Sequence, residues 1–257
     1  MKISIITVCY NSSKTITRTI ESVLSQNISD LEYIIIDGAS KDNTVSIAES
    51  FCQRFEAKGV TYIVKSEPDR GIYDAMNKGV QLVSGEIIGI LNSDDYYASP
   101  DVLNTVIKGF EDNKTDSLYG NLLYVKNGKP FRYWRSGKFH TFKHGWMPPH
   151  PAFFVTKETY KQHGFYRLDC GVNADYEFML RLLEVKNATT VWVDKIFVNM
   201  TAGGTSDNGI NSRIQGVIYD KIAWKVNNMK PPFYTIYWKK IRKIPQFILA
   251  KFIKFED

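Results

Sequence analysis

The chain has 257 residues, enough for one large domain or for a domain with an appendage. An apolar share of 44% with 14% aromatic residues fits a packed core and excludes a disordered chain. The net charge of +6 is local: residues 221–257 hold nine Lys or Arg against two acids, and the rest holds 24 against 25, which excludes a fold-wide nucleic-acid surface.

Ile3 to Val8 is apolar and β-branched, a first strand, and Asn11-Ser12-Ser13 follows as turn and cap. Ile16, Ile20, Val23 and Leu24 then recur at helical spacing. Tyr33 to Ile36 reads as a second buried strand, closed by Asp37-Gly38, and Asp42-Asn43 caps a helix with Val45, Ala48, Phe51, Cys52 and Phe55 on its apolar face. Val60 to Val64 is a third strand. This β-α-β-α-β order implies a parallel sheet with right-handed crossovers. After the first strand comes Cys9-Tyr10-Asn11-Ser12, without the glycines of a dinucleotide fingerprint, so a nicotinamide or flavin dehydrogenase is disfavoured. Walker-type phosphate loops are also missing, and no glycine-rich Arg/Lys loop supports a nucleotidyltransferase.

Pro68 and Gly71 mark a loop, and Ile72, Ala75, Met76, Val80 and Val83 space out a helix after it. Arg70 and Lys78 suit a phosphate or diphosphate, although solvated surface charges are the commoner case. Ile87 to Leu91 is a strand buried on both faces that ends in Asn92-Ser93-Asp94-Asp95. Adjacent carboxylates repel, so a cation is expected beside them, and oxygen-only ligands suit Mg²⁺ or Mn²⁺ shared with substrate phosphates. The same residues also make ordinary helix caps before the helix of Val102, Thr105, Val106 and Phe110.

Four stretches occur in order: Thr7-Val8-Cys9-Tyr10-Asn11, Ile36-Asp37-Gly38-Ala39-Ser40-Lys41-Asp42-Asn43-Thr44, the run from Asp69 to Gly79, and Asn92-Ser93-Asp94-Asp95. Together they resemble the inverting family 2 glycosyltransferases of the GT-A fold, of the bacterial O-antigen or surface-polysaccharide type. The match runs motif by motif over residues 1–110 and more loosely to about residue 205. The resemblance implies an α/β fold with a mostly parallel sheet flanked by helices, and a UDP-sugar bound at the carboxyl ends of the first strands. Thr7, Tyr10 and Asn11 would line the nucleoside, Asp37 would accept from the uracil ring, and the Arg70 segment would shape the donor pocket. Asn92, Ser93 and Asp94 would stand where the family has its Asp-x-Asp signature, with Asp94 the first metal ligand and Asp95 the second. Asn92 departs from that signature: its amide can accept a hydrogen bond but brings no charge.

From Leu118 the pattern changes. Leu122 to Val125, the turn Asn127-Gly128 and Phe131 to Trp134 read as a β-hairpin. Lys138 to Pro151 is rich in aromatic, His and Pro residues; Trp146 there is either a sugar-stacking platform for an acceptor or core packing. His144 and His150 are candidates for acceptor phosphate or metal, or satisfied structural histidines. Ala152 to Val155 is a strand and Thr156 starts a helix. Asp175 in Asn173-Ala174-Asp175-Tyr176-Glu177 caps a helix by position; the resemblance makes it the catalytic base, with Ala174 where the family has a preceding acid. Glu177 faces away on that helix. Val191 to Val193 and Ile196 to Val198 are late strands, and Thr201 to Ser206 is a glycine loop that either closes over the donor or connects elements.

Residues 231–257 alternate apolar Tyr237, Ile241, Ile244, Ile248, Phe252 and Phe255 with Lys239, Lys240, Arg242, Lys243, Lys251 and Lys254, and Pro245 splits the run into two helices. Such a segment either lies in an anionic membrane interface or packs on the domain with a solvated lysine face. The expected organisation is a catalytic domain at 1–220, with a nucleotide-sugar half at 1–110 and an acceptor half at 111–220, and a basic helical tail at 221–257. Cys9, Cys52 and Cys170 match no zinc spacing or disulfide framework, the chain opens without a signal-peptide pattern, and no apolar stretch spans a bilayer. A cytoplasmic enzyme, peripheral on the inner face of the plasma membrane, is therefore expected. It would move a hexose, glucose or galactose, from a UDP-sugar to a polyprenyl-diphosphate-linked GlcNAc or GalNAc with Mn²⁺ or Mg²⁺, forming a β-linkage. No nucleic-acid partner is expected, and the oligomeric state is open, a homodimer included. Asn92 and Ala174 motivate the rival reading, a non-catalytic sugar-nucleotide or glycan-binding protein on the same fold.

Overall fold

A computed structural model describes residues 1–201 and 209–253, the side chains of 209–214 and 236 excepted. In chain order the strands are β1 (Ile3–Cys9), β2 (Leu31–Asp37), β3 (Thr61–Ser66), β4 (Ile87–Asn92), β5 (Tyr96–Tyr97), β6 (Ser117–Lys126), β7 (Lys129–Trp134), β8 (Phe153–Thr156) and β9 (Thr190–Thr201). The helices are α1 (Ile16–Leu24), α2 (Thr44–Glu49), α3 (Cys52–Ala57), α4 (Ile72–Leu82), α5 (Val102–Asn113), α6 (Lys157–His163), α7 (Ala174–Leu180), α8 (Gly209–Val226), α9 (Thr235–Ile241) and α10 (Ile244–Leu249).

One mixed sheet runs in the order β3-β2-β1-β4-β8-β6-β9-β5, with β7 hairpinned onto β6. Its first four strands are parallel, so all four carboxyl ends share one edge. Antiparallel pairing enters with β8, which joins this half to the second one. β1, β2 and the apolar run of β4 are buried on both faces, as continuous β-branched runs require. Ile16, Thr19, Ile20 and Val23 of α1 form the buried stripe against one sheet face.

Two elements depart from their expected form. The helix after Asp42 breaks in two because the Ser50 hydroxyl takes the Ile47 carbonyl (2.7 Å), while Phe51 N–H steps back to Ala48. The late strands are instead one, β9, which stays paired with β6 through register shifts near Gly120 and Asn121 that leave Asp194 and Lys195 exposed. The Asn127-Gly128 turn has both residues at positive φ, 52° and 68°, which matches the twist of the β6–β7 hairpin.

The division expected at residue 220 falls inside α8. Asp220 and Trp224 on that helix pack against α7, where Trp224 Nε1 donates to the Tyr176 hydroxyl at 2.9 Å. Pro245 does split the tail, into α9 and α10. No helix among the described residues is long and apolar enough to cross a membrane.

Candidate functional site

The shared carboxyl edge of β1 to β4 collects the loops that the sequence singles out. Tyr10 follows β1 with 61% of its surface exposed, an open aromatic face at the edge. Asn11 sits in the left-handed region (φ 49°), where its N–H donates to Ser40 Oγ (2.8 Å) and its Oδ1 accepts from Lys41 N (2.8 Å). On its other side the same loop is pinned by Ser12 Oγ and Ser93 Oγ, 2.8 Å apart. Three neighbouring strand ends are thereby held in fixed relation.

Two expected nucleoside contacts are corrected. Thr7 is fully buried and its Oγ1 accepts from the Tyr33 hydroxyl (3.0 Å); alternation along β1 turns it into the sheet with Ile5 and Cys9. Asp37, 1% exposed, turns its carboxylate inward to accept from Ser40 N (2.9 Å), Ser40 Oγ, Ser66 Oγ (2.7 Å) and Cys9 Sγ (3.6 Å). Its lone pairs are spent on ordering the loop, not offered to a base.

Asp69, which the sequence reading passes over, lies above that loop. A Cβ at Gly38 would stand 2.5 Å from Asp69 Oδ2, so glycine is what lets the two loops close up. An acid beside Arg70 in a Pro/Gly loop was the available signal. Arg70 keeps 77% of its side chain exposed, although Nη2 donates to Asp74 Oδ1 at 2.7 Å. That bond is the first cause of the raised Arg70 pKa, and it holds Asp74 low. Lys78 is instead a loop clamp, donating to the Pro68 carbonyl (2.7 Å) and pairing with Glu67 (3.0 Å).

At the end of β4 the two acids have different environments. Asp94 is half-buried, and burial raises its pKa against the nearby Arg18 charge. No other side chain among the described residues donates to its carboxylate; its carbonyl accepts from Thr201 Oγ1 (2.7 Å) and Arg18 Nη2 (3.4 Å). Asp95 is 0% exposed, and its pKa is pushed well above the usual range by burial and then by Asp94. Its Oδ2 accepts from Asn92 Nδ2 at 3.1 Å. Asp95 is thus buried beside Asn92, and its Oδ1 is left without a hydrogen-bond partner among the described residues.

The oxygens of this corner suit a divalent ion, the unpartnered Asp95 Oδ1 among them. Asn92 Oδ1 is buried without a hydrogen-bond partner among the described residues, and Asp94 supplies a charged oxygen two residues on. Those hard donors suit Mg²⁺ or Mn²⁺. No group of three His, Cys, Asp or Glu stands together among the described residues, so further ligands must come from a substrate's phosphates or from water.

The second half contributes Asp175, in the first turn of α7. It caps nothing. Its Oδ1 lies 2.9 Å from the hydroxyl of Tyr73, which also lies 3.1 Å from the Val172 carbonyl. Tyr73 stands three residues after Arg70 on α4, so one hydrogen bond brings the acid of the second half beside the loop of the first. Asn77, one turn further along α4, exchanges two bonds with the backbone of Tyr166, both at 2.9 Å, and fixes the same junction. Glu177 is buried and ion-paired with Arg181 at 2.8 Å, so it does face away from Asp175.

The expected acceptor residues are buried. Trp146 is 3% exposed, packed edge-on against Tyr119, Phe139 and Phe142, and its Nε1 donates to the Ser136 carbonyl (2.9 Å). His150 is buried with Nε2 2.8 Å from the Tyr166 hydroxyl. Burial pushes its pKa down, although the Asp175 charge acts the other way. His150 thus sits in the core, and Trp146 is a packed ring that shows only its edge to a cleft beside the tail helices. His144 stacks between His140 and Tyr234. The glycine loop lies outside the described residues beyond Thr201.

The model of the family described as Glycosyl transferase family 2 matches residues 4–173. An uncharacterized glycosyltransferase of Mycobacterium tuberculosis (strain ATCC 25618 / H37Rv) is 33% identical over 200 residues, covering 74% of this chain and 71% of that one. TarS of S. aureus (residues 1–349), solved in complex with UDP-GlcNAc, superposes with a TM-score of 0.67 at 19% identity, covering 97% of this chain and 79% of that one. The mannosyltransferase PcManGT from Pyrobaculum calidifontis, in complex with GDP-Man and Mn²⁺, gives 0.66 at 16% identity, over 97% of this chain and 73% of that one.

Proposed function

The chain belongs to glycosyltransferase family 2 and has the GT-A fold, and from that premise we propose an inverting transferase that moves a hexose from a UDP-sugar to an acceptor hydroxyl. The observation that carries this reading is the Tyr73–Asp175 bond, which sets a carboxylate beside the donor-side loop with its Oδ2 bonded to nothing among the described residues. Asp175 Oδ2 takes the proton of the acceptor hydroxyl as the hydroxyl oxygen bonds to the anomeric carbon from the face opposite the diphosphate, whose bond to that carbon breaks to release UDP. Tyr73 holds the carboxylate in position; burial, and then the Asp175 charge, raise its own pKa so that it remains a donor at assay pH. Tyr10 offers its open ring to the nucleobase, and Arg70 lies ready for the diphosphate. Asp94 and the Asn92 amide oxygen hold a divalent ion that, when bound, neutralises the charge of the leaving diphosphate.

An α-linked donor then gives a β-linkage. Glucose or galactose is the preferred sugar, although the solved neighbours carry UDP-GlcNAc in one case and GDP-mannose in the other. The acceptor is a GlcNAc or GalNAc on a polyprenyl diphosphate, in the assembly of O-antigen or another bacterial surface polysaccharide. The amphipathic tail holds the enzyme at the cytoplasmic face of the membrane; its support is the exposed row of Ile241, Ile244, Ile248 and Phe252 among basic residues.

The test is release of UDP from a panel of UDP-sugars with Mn²⁺ and that acceptor, alongside Asp175→Asn. Turnover that falls by about 10²–10⁴-fold in the variant, with UDP binding unchanged, is the expected result. Full turnover in the variant removes Asp175 as base. UDP binding without turnover on any donor favours the non-catalytic reading that Asn92 and Ala174 motivate.

A further inference from the structure

A second concavity lies away from the donor edge, between the tail helices and the hairpin side of the body, with a volume of about 330 Å³. None of Tyr10, Arg70, Asp94 or Asp175 lines it. Four cations do: Arg135, Lys239, Arg242 and Lys243. Two of these are neutralised inside the protein, Arg135 by Asp194 and Lys239 by Asp220 at 2.8 Å. Arg242 has no acidic partner among the described residues and stays exposed at the cleft, whose wall costs its charge some solvation. An exposed guanidinium with no acid beside it at a cleft is open to a phosphate from solvent.

The remaining walls are mainly apolar, Trp134, Trp146, Met147, Pro245 and Leu249, with Ser136 and Gly145 between them. Gln246, also in the lining, buries its Oε1 without a hydrogen-bond partner among the described residues, an acceptor waiting for a hydroxyl or N–H. Beyond the cleft, Ile241, Ile244, Ile248 and Phe252 stay exposed along α9, α10 and the turn after them. Anion-seeking charge, a hydroxyl-seeking amide, apolar walls and an apolar surface outside describe a ligand with a charged head and a hydrocarbon body. A sugar nucleotide has the first without the second.

We propose that this cleft binds the headgroup phosphate of an anionic phospholipid, with Arg242 on the phosphate and the acyl chains lying over Leu249 toward the exposed apolar row. A diffuse basic surface would attract the membrane without choosing a lipid. A cleft of this size and lining fixes one molecule, and so sets the orientation of the body on the bilayer. Lys239 couples the site to the catalytic helix, since its ammonium also lies 3.9 Å over the ring of Tyr176, the neighbour of Asp175. The proposal rests on the membrane reading of the tail given above.

The experiment uses the full chain and dihexanoyl-phosphatidylglycerol held below its micelle concentration, where surface potential plays no part, with binding followed by calorimetry. Saturable binding is expected with one lipid per chain, weakened at least tenfold by Arg242→Gln and less than twofold by Lys240→Gln, a tail cation outside the lining. Arg242→Lys is expected to recover part of the loss. Equal effects of the two Gln variants overturn the site, as does inorganic phosphate binding as tightly as the lipid, which would show a free-anion site. Sedimentation with phosphatidylcholine vesicles containing phosphatidylglycerol separates the two readings. If the wild type does not sediment, the membrane reading fails; if wild type and Arg242→Gln sediment alike and the short-chain lipid does not bind, only the cleft fails.

Discussion

A tyrosine hydroxyl carries one proton, and at Tyr73 two acceptors compete for it, Asp175 Oδ1 at 2.9 Å and the Val172 carbonyl at 3.1 Å. With Asp175 ionised, the proton goes to the carboxylate. Once Asp175 Oδ2 has taken a proton, Oδ1 can still accept from the hydroxyl, and the Val172 carbonyl offers a second acceptor, so both states are satisfied. Tyr73→Phe keeps the ring beside Tyr166 (5.7 Å between centroids) and removes only this bond. It is expected to lower kcat by about 10–100-fold, equivalent to about 1.4–2.7 kcal/mol, with donor KM unchanged; steady-state kinetics in both substrates reads the split. Asn92 gives a second test. Its amide donates to buried Asp95, so Asn92→Asp, which restores the family signature, puts a like charge where a donor stood. A loss of about 2–4 kcal/mol in stability at pH 7 is expected in denaturant unfolding, without a gain in activity. Candidates that the fold leaves accessible, Tyr10, Asp94 and Asp175, were legible from residue type and motif order. The inward turn of Thr7 and Asp37 and the burial of Asp95 and Trp146 were not, because which way a side chain points depends on strand alternation and on neighbours distant in sequence.

At the scale of elements, the strands were the most legible part: uninterrupted apolar runs leave few alternatives to burial on both faces. What joins them was not legible. Glu32, at the amino end of β2, accepts from Ser4 Oγ (2.6 Å), Ser84 N (2.7 Å) and Ser84 Oγ (2.7 Å), with Lys2 Nζ at 3.7 Å, and so ties β1 and the entry to β4 to its own strand. Burial acts to raise its pKa, but the Ser4 and Ser84 bonds together with Lys2 bring it below the ordinary 4.5. A folded pKa below the unfolded one means that the unfolded chain takes up the proton first as pH falls. The stabilisation is therefore present above about pH 4.5 and lost as pH drops through the folded value. Glu32→Gln is expected to cost about 2 kcal/mol at pH 7, or about 4–8 °C in Tm for a chain of this size. In melts at successively lower pH, the gap from wild type should close below pH 4.5; a gap that persists unchanged shows that the clamp is not electrostatic.

For the molecule as a whole, the amphipathic pattern of the tail announced two faces but not their use, since packing and membrane contact demand the same periodicity. The inner face docks: Thr235 Oγ1 donates to the Lys143 carbonyl (2.6 Å), Lys239 pairs with buried Asp220, and Phe247 meets Phe131 edge-on at 5.4 Å between ring centroids. The closest approach is at Gly145, whose φ of +67° and missing Cβ admit the backbone of α9; a Cβ there would fall 2.3 Å from Lys239 N. Backbone cannot yield as a flexible side chain does, so Gly145→Ala must either strain the 142–145 turn or push α9 outward. Displacing α9 costs the Lys239–Asp220 pair and leaves a buried carboxylate with only the Asn173 amide donating to it, a local loss that opens the tail before it unfolds the sheet. Native-state proteolysis of the full chain is expected to cleave within residues 227–253 at least tenfold faster in Gly145→Ala, with the midpoint of global unfolding moved far less. Cleavage at the wild-type rate would mean that α9 is held by contacts elsewhere. Faster cleavage without loss of vesicle binding would separate docking of the tail on the body from its hold on the membrane, and would place the bilayer contact wholly on the outer apolar row.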